Sequence, residues 1–194
     1  IDLIGSRICA GTLRGARGNS GVIMSQLCRG FFQSIQGYET LGNDQLAQAV
    51  EGASAAAYQA VVSPREGTIL TVARETAQKA SQITTSLQVD LPELMDQMVL
   101  QAEDTLSRTP DMLPVLKEAG VVDSGGQGLL EFLKGARDAF LGEFRESAPL
   151  LRQEDTGSVH VDTSHIETAD IHYIYCTEFI IECSPDTDFS EEAF

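Results

Sequence analysis

The chain has 194 residues, 42% of them hydrophobic, which is enough for one helical domain with a real core and a piece of another. Its formal net charge of -16 argues against nucleic acid and anionic membrane surfaces as partners. No stretch has the length and apolarity of a membrane span and no secretory signal is recognisable, so no membrane insertion is expected.

The charge is unevenly spread. Through Ser86 there are seven basic and six acidic residues, against six and 23 in the remainder. An anionic ligand therefore meets the least hostile background in the first half. Cys9, Cys28, Cys176 and Cys183 form no CxxC pair and no disulfide framework, as in a reduced cytoplasmic protein. The chain lacks an initiator Met and opens inside an apparent helix, so it reads as a section of a longer protein.

A first helix is expected from Ile1 to Leu13. The segment Gly15-Ala16-Arg17-Gly18-Asn19-Ser20-Gly21 has too many glycines for a helix interior, so it reads as a turn. Val22, Ile23, Leu27, Phe31 and Ile35 then recur at helical spacing, up to Gly37. Asn43 or Asp44 can cap the next helix, whose buried face would carry Leu46, Val50, Ala53, Ala57 and Val61, with Pro64 ending it. The alanines at Ala53 and Ala55 to Ala57 suggest close approach of a neighbouring helix.

Further helices are expected at about Ile69 to Ile83 and Leu91 to Leu106. Thr109-Pro110-Asp111 looks like the start of another, with Thr109 as cap, and Gly120 ends it. A second glycine-rich turn, Val121 to Gly128, opens a helix with Leu129, Leu130, Leu133, Ala136 and Phe140 on one face. Residues 143–170 read as an acidic linker. From His172 to Cys183 the residues alternate as in a strand that begins a different fold. The expected organisation is an all-α bundle of antiparallel amphipathic helices over 1–142, the linker, and the start of an α/β domain over 171–194.

Each glycine-rich turn opens a helix. Backbone N–H groups and the helix dipole make such a start attractive to phosphate, and Ser20, Asn19 and Thr68 add side-chain donors. Most glycine turns simply reverse the chain, and neither segment is a Walker loop or a dinucleotide fingerprint. Spacing alone reaches only a candidate anion site. Arg17 suits either a phosphate or a carboxylate. His160, His165 and His172 share no regular spacing, and with Asp155, Asp162, Glu167 and Asp170 they read as solvated linker.

Several separated blocks carry a resemblance. Gly15 to Ile23, with Ser25-Gln26-Leu27 and Arg29-Gly30-Phe31, is the first. Glu66-Gly67-Thr68-Ile69-Leu70-Thr71-Val72 is the second. Asp111 to Lys117 is the third, and Ala119 to Asp123 running into Gly125-Gly126-Gln127-Gly128 is the fourth. Tyr175-Cys176-Thr177-Glu178-Phe179 adds a match near the end. In this order they resemble bacterial fatty acid kinases, whose helical domain is similar to the nucleotide-binding subunit of dihydroxyacetone kinases.

The resemblance implies a helical barrel binding ATP and Mg2+ at one end. It implies that Gly18, Asn19, Ser20 and Gly21 hold the phosphates. Gly67 and Thr68 would lie close to the nucleotide, and the turn of Asp123, Gly125 and Gly126 would close over the base or sugar. Ser124 stands where these proteins usually carry Ala. It further implies a fatty-acid-binding carrier protein as partner, an acyl phosphate as product, and a homodimer as an option. Cys176 resembles a cysteine of a middle-domain metal site, although a buried strand cysteine fits it equally.

One departure matters. The family's magnesium-binding Asp-Gly-Asp-Thr-Gly loop is missing, so the metal ligands are expected upstream of Ile1, and this stretch alone is expected to be inactive. No residue here is expected to be catalytic or to bind metal. The alternatives are a dihydroxyacetone kinase-type phosphotransferase and a non-catalytic helical binding module.

Overall fold

The computed structural model describes residues 1–143, which belong to one unit, Ile1–Glu146. The expected linker and strand, with Cys176, Cys183 and the three histidines, lie outside the described residues. Within them the chain is all-helical, as its periodicity implies: α1 Asp2–Gly15, α2 Gly18–Ser34, α3 Asn43–Gln59, α4 Ile69–Ser86, α5 Leu91–Met112, α6 Pro114–Ala119 and α7 Ser124–Leu141.

Short connections make sequence neighbours pack in opposite directions. Between α1 and α2, Gly37 N–H donates to Asp2 Oδ1 at 3.1 Å, Gly5 lies against the Phe32 ring, and the Cys9 thiol points at the Cys28 carbonyl. As one number rises the other falls, so the pair is antiparallel. Glu103 with Lys134 and Asp96 with Arg137 show the same register for α5 and α7. The packed pairs run α1 on α2, α2 on α3, α3 on α4 and α4 on α5, with α7 against both α4 and α5.

Small residues set the closest approach. Gly30 of α2 abuts the carbonyl of Gly52 in α3 so tightly that no Cβ fits there, and Ala56 crowds the same spot. The alanine pattern of α3 therefore does mark a helix contact, with Ala53 and Ala57 buried. One part of the core joins Leu27, Ala57, Ile69, Leu70, Val72, Val99, Leu106, Leu129 and Leu130 from five helices. A second, smaller part joins Ala47, Ala80, Ile83, Leu94 and Met98. Burying these side chains contributes roughly 1.5–3 kcal/mol for each large aliphatic one. Between the helices lies an apolar cavity of about 390 Å³, lined by side chains of every helix except α6.

Several boundaries differ from the sequence reading. The first glycine turn is only Ala16 and Arg17, because Gly18 to Gly21 already lie in the first turn of α2. The same holds at α7, where Asp123 is the N-cap and Gly125, Gly126 and Gly128 are helical. Val22 and Phe140, which fit the apolar spacing of their helices, are exposed. Pro64 does not end α3, which has already stopped at Gln59, and Gly42 rather than Asn43 or Asp44 caps its start.

The largest difference is at Thr109-Pro110. They do not open a helix; α5 runs through them to Met112. Proline cannot donate to the carbonyl four residues back, here Leu106. The Thr109 hydroxyl donates to that carbonyl instead, at 2.7 Å, which explains how the helix tolerates the proline. No described helix is long and apolar enough to cross a membrane.

Candidate functional site

The alternation of helix directions places the starts of α2, α4 and α7 at one end of the bundle. They meet there. A Cβ built on Gly125 of α7 would lie 3.3 Å from Cβ of Ile69 in α4 and 3.4 Å from Oγ of Ser20 in α2. Glycine at 125 is what allows the three starts to approach.

Their chemistry is unusual for this acidic chain. Helix starts attract carboxylates, and α1, α3 and α5 carry Asp2, Asp44 and Glu93 in their first turns. The first turns of α2, α4 and α7 carry none. No side chain caps α2, so the N–H groups of Gly18, Asn19 and Ser20 have no acceptor within the helix. Gly18 has φ 63, in the left-handed region that favours glycine, and this turns the extended Arg17 into the helix. Asn19 and Ser20 are exposed and Gly21 is half-buried, its Cα facing the Ala16 backbone. Arg17 reaches back, donating to the carbonyls of Arg14 and Ala16, so its guanidinium closes the end of α1.

The start of α4 is tied down by its own side chains. Gly67 has φ 81 and is buried against Met112, Leu113 and the Thr109 carbonyl. Its N–H donates to Thr71 Oγ1 at 2.8 Å, and the Thr71 hydroxyl in turn donates to Glu66 Oε2 at 2.8 Å. Thr68 accepts from Leu70 N–H, while its hydroxyl proton goes to the Arg65 carbonyl. Glu66 also accepts from Arg74 and Tyr58. Burial pushes the Glu66 carboxyl up, but hydrogen bonds from Arg74, Thr71 and Tyr58 outweigh it and hold the group below its ordinary value. Burial also pushes the Tyr58 phenol up.

At α7, Asp123 Oδ2 accepts the Gly126 N–H at 2.7 Å, a local cap. The Asp123 N–H in turn donates to Thr109 Oγ1 at 3.1 Å. Of the expected site residues, the structure brings Ser20 against Gly125 and Asp123, with Ile69 beside them. Gly18, Asn19 and Gly21 share the first turn of α2 with Ser20, Gly67 and Thr68 immediately precede Ile69, and Gly126 is held by Asp123. Sequence reasoning gave no role to Thr71 beyond its matched block and read Thr109 as a helix cap; both are fully buried. A threonine immediately before a helical proline is the signal that could have found Thr109.

The uncapped N–H groups at the start of α2 and the exposed Ser20 hydroxyl suit phosphate oxygens. Magnesium is different. Among the described residues no group of three or more His, Cys, Asp or Glu is placed to hold a metal ion; Asp123 is occupied with its cap and Glu66 with Arg74, Thr71 and Tyr58. The described residues do not by themselves fit that ion.

The DAK2 domain family matches residues 2–138, nearly all of the described helices. An uncharacterized protein of Staphylococcus saprophyticus is 43% identical over 197 aligned residues, covering all of this chain and 36% of its own length. Uncharacterized proteins of Staphylococcus aureus are 42% identical in strain bovine RF122 and 41% in strain USA300, with the same coverage. The chain therefore spans about a third of the length of the curated relatives it matches. Its helical part belongs to the DAK2 domain family, the dihydroxyacetone-kinase-like nucleotide-binding modules of kinases.

Proposed function

We propose that the helical domain binds ATP where α2, α4 and α7 start, and that the longer protein transfers its γ-phosphoryl group to the carboxylate of a fatty acid. A fatty-acid-binding carrier protein would present the acid, giving an acyl phosphate. The observation that carries the nucleotide part is the meeting of three helix starts, all without acidic residues in the first turn, in a chain of net charge -16. Gly18, Asn19 and Ser20 would hold phosphate oxygens through backbone N–H groups, and the Ser20 hydroxyl would add a donor. Gly67 and Thr68 would flank the nucleotide, and Asp123, Gly125 and Gly126 would cover its base or sugar.

The acceptor part rests on the matched blocks described above, from Gly15 to Gly128. A carrier makes physical sense, because it shields the tail and offers only the carboxylate. An ionised carboxylate needs no general base, and positioning with electrostatic stabilisation suffices. Magnesium would be held by residues other than those described. The family's dihydroxyacetone-kinase-like character supports a second reading, in which a small hydroxyketone accepts the phosphate.

The test uses the complete protein, ATP labelled at the γ-phosphate, magnesium and oleate, with and without a fatty-acid-binding partner. Carrier-dependent labelling of lipid that disappears in the Asn19→Ala, Ser20→Ala double variant is the expected result. ATP binding without lipid labelling moves the acceptor to dihydroxyacetone. Loss of both in the unmodified protein leaves a helical binding module and overturns the kinase reading.

A further inference from the structure

Thr109 touches two of the three helix starts without lining the site itself. It sits in α5, fully buried. A threonine hydroxyl has one proton and two lone pairs. Pro110 leaves the Leu106 carbonyl without its usual donor, and the Thr109 proton goes there at 2.7 Å. Toward α7 the hydroxyl can then only accept, and it accepts the Asp123 N–H at 3.1 Å. The proline thus fixes which way the Thr109 hydroxyl points, and that direction fixes the residue that caps α7.

The next links are short. Asp123 holds the Gly126 N–H, and Gly125 between them is the residue against which Ser20 and Ile69 close. On its other side, the Thr109 carbonyl lies 3.1 Å from where a side chain on Gly67 would begin. One buried residue therefore holds the start of α7 through its side chain, while its carbonyl, which accepts the Leu113 N–H, lies against the Gly67 turn. Apolar packing alone would not set this register, because contacts between aliphatic side chains have no direction.

We propose that Thr109 is a positioning residue of the nucleotide site, holding the start of α7 at the distance from α2 at which both can reach one nucleotide. The proposal rests on the nucleotide reading above. Valine at 109 keeps the shape but orphans the Leu106 carbonyl and the Asp123 N–H together. Serine keeps the hydroxyl.

The complete protein would be titrated with ATP by calorimetry as wild type, Thr109→Val and Thr109→Ser, while hydrogen exchange follows the Asp123 amide. Thr109→Val is expected to weaken ATP about tenfold, the scale of one unsatisfied buried group, with Thr109→Ser within about twofold of wild type. The Asp123 amide should lose protection in Thr109→Val while α4 core amides keep theirs. Wild-type affinity in Thr109→Val, or no rescue by serine, overturns the positioning role and leaves the nucleotide reading intact. If Thr109→Val does not fold, exchange in the unmodified protein decides. ATP should slow exchange at Asp123, and no added protection at saturating ATP overturns the proposal. Failure of the wild type to bind ATP instead overturns the nucleotide reading itself.

Discussion

Ser20 Oγ lies 3.4 Å from the point where a side chain on Gly125 would begin, although 105 positions separate the two in sequence. The same point is 3.2 Å from Asp123 Oδ2 and 3.3 Å from Ile69 Cβ. A methyl group there would be tight and anything larger would wedge the helix starts apart. Gly125→Val is therefore expected to weaken ATP binding by more than about tenfold, since each misplaced charge-assisted contact contributes roughly 1.5–3 kcal/mol. Calorimetric titration checks this, with circular dichroism confirming that the helices persist. Unchanged affinity would remove Gly125 from the site.

Gly30 tests the fold rather than the site. A Cβ there would collide with the Gly52 backbone carbonyl, which cannot rotate away. Gly30→Ala is expected to cost about 3 kcal/mol, at the upper end of overpacking penalties. Gly135 is the control. It is exposed, lies inside α7, and has open space where a methyl group would go. Gly135→Ala should stabilise by about 0.5–1 kcal/mol. Chemical denaturation of both variants measures the contrast.

Thr76 is buried and its hydroxyl has no hydrogen-bond partner, while the residue borders the apolar cavity. Valine has nearly the same shape without the hydroxyl. Thr76→Val should therefore raise stability by about 1 kcal/mol, because a desolvation cost disappears with no bond lost. A lower melting temperature would show that the hydroxyl is satisfied in solution.

Glu66 predicts a pH effect. Its carboxyl is held below its ordinary value in the folded chain by Arg74, Thr71 and Tyr58, against the opposing push of burial. A depressed carboxyl contributes stability above its unfolded value, near pH 4.3, and loses that contribution as pH falls through the folded value. The melting temperatures of wild type and Glu66→Gln should differ at pH 6 and converge as the pH drops below about 4. A gap that stays constant over that range would mean that the ion pair with Arg74 contributes nothing.

Much of the helical bundle is legible in the sequence because apolar residues recur at helical spacing. Ala53 and Ala57, Leu129 and Leu130, and the stop at Gly120 all emerge this way. The candidate site is legible as separate pieces, since glycine, serine and threonine at helix starts have a known attraction for anions. Where the starts of helices such as α7 fall was misread by several residues, because glycine disfavours helix interiors but not a first turn packed against a neighbour. Thr109-Pro110 was misread because the rescue of Leu106 by a side chain depends on burial that local sequence does not display.

The sequence by itself determined that these residues form amphipathic helices, and that two glycine-rich segments lie where helices begin. Periodicity and turn chemistry are local, so they can be read along the chain. Only the tertiary structure decided that Ser20, Ile69 and Gly125 meet. It also decided that α2 alone of the three starts lacks a capping side chain, and that the Asp123 N–H meets the Thr109 hydroxyl. Those facts depend on which helix faces which neighbour, at what register, and on the single proton of one buried hydroxyl.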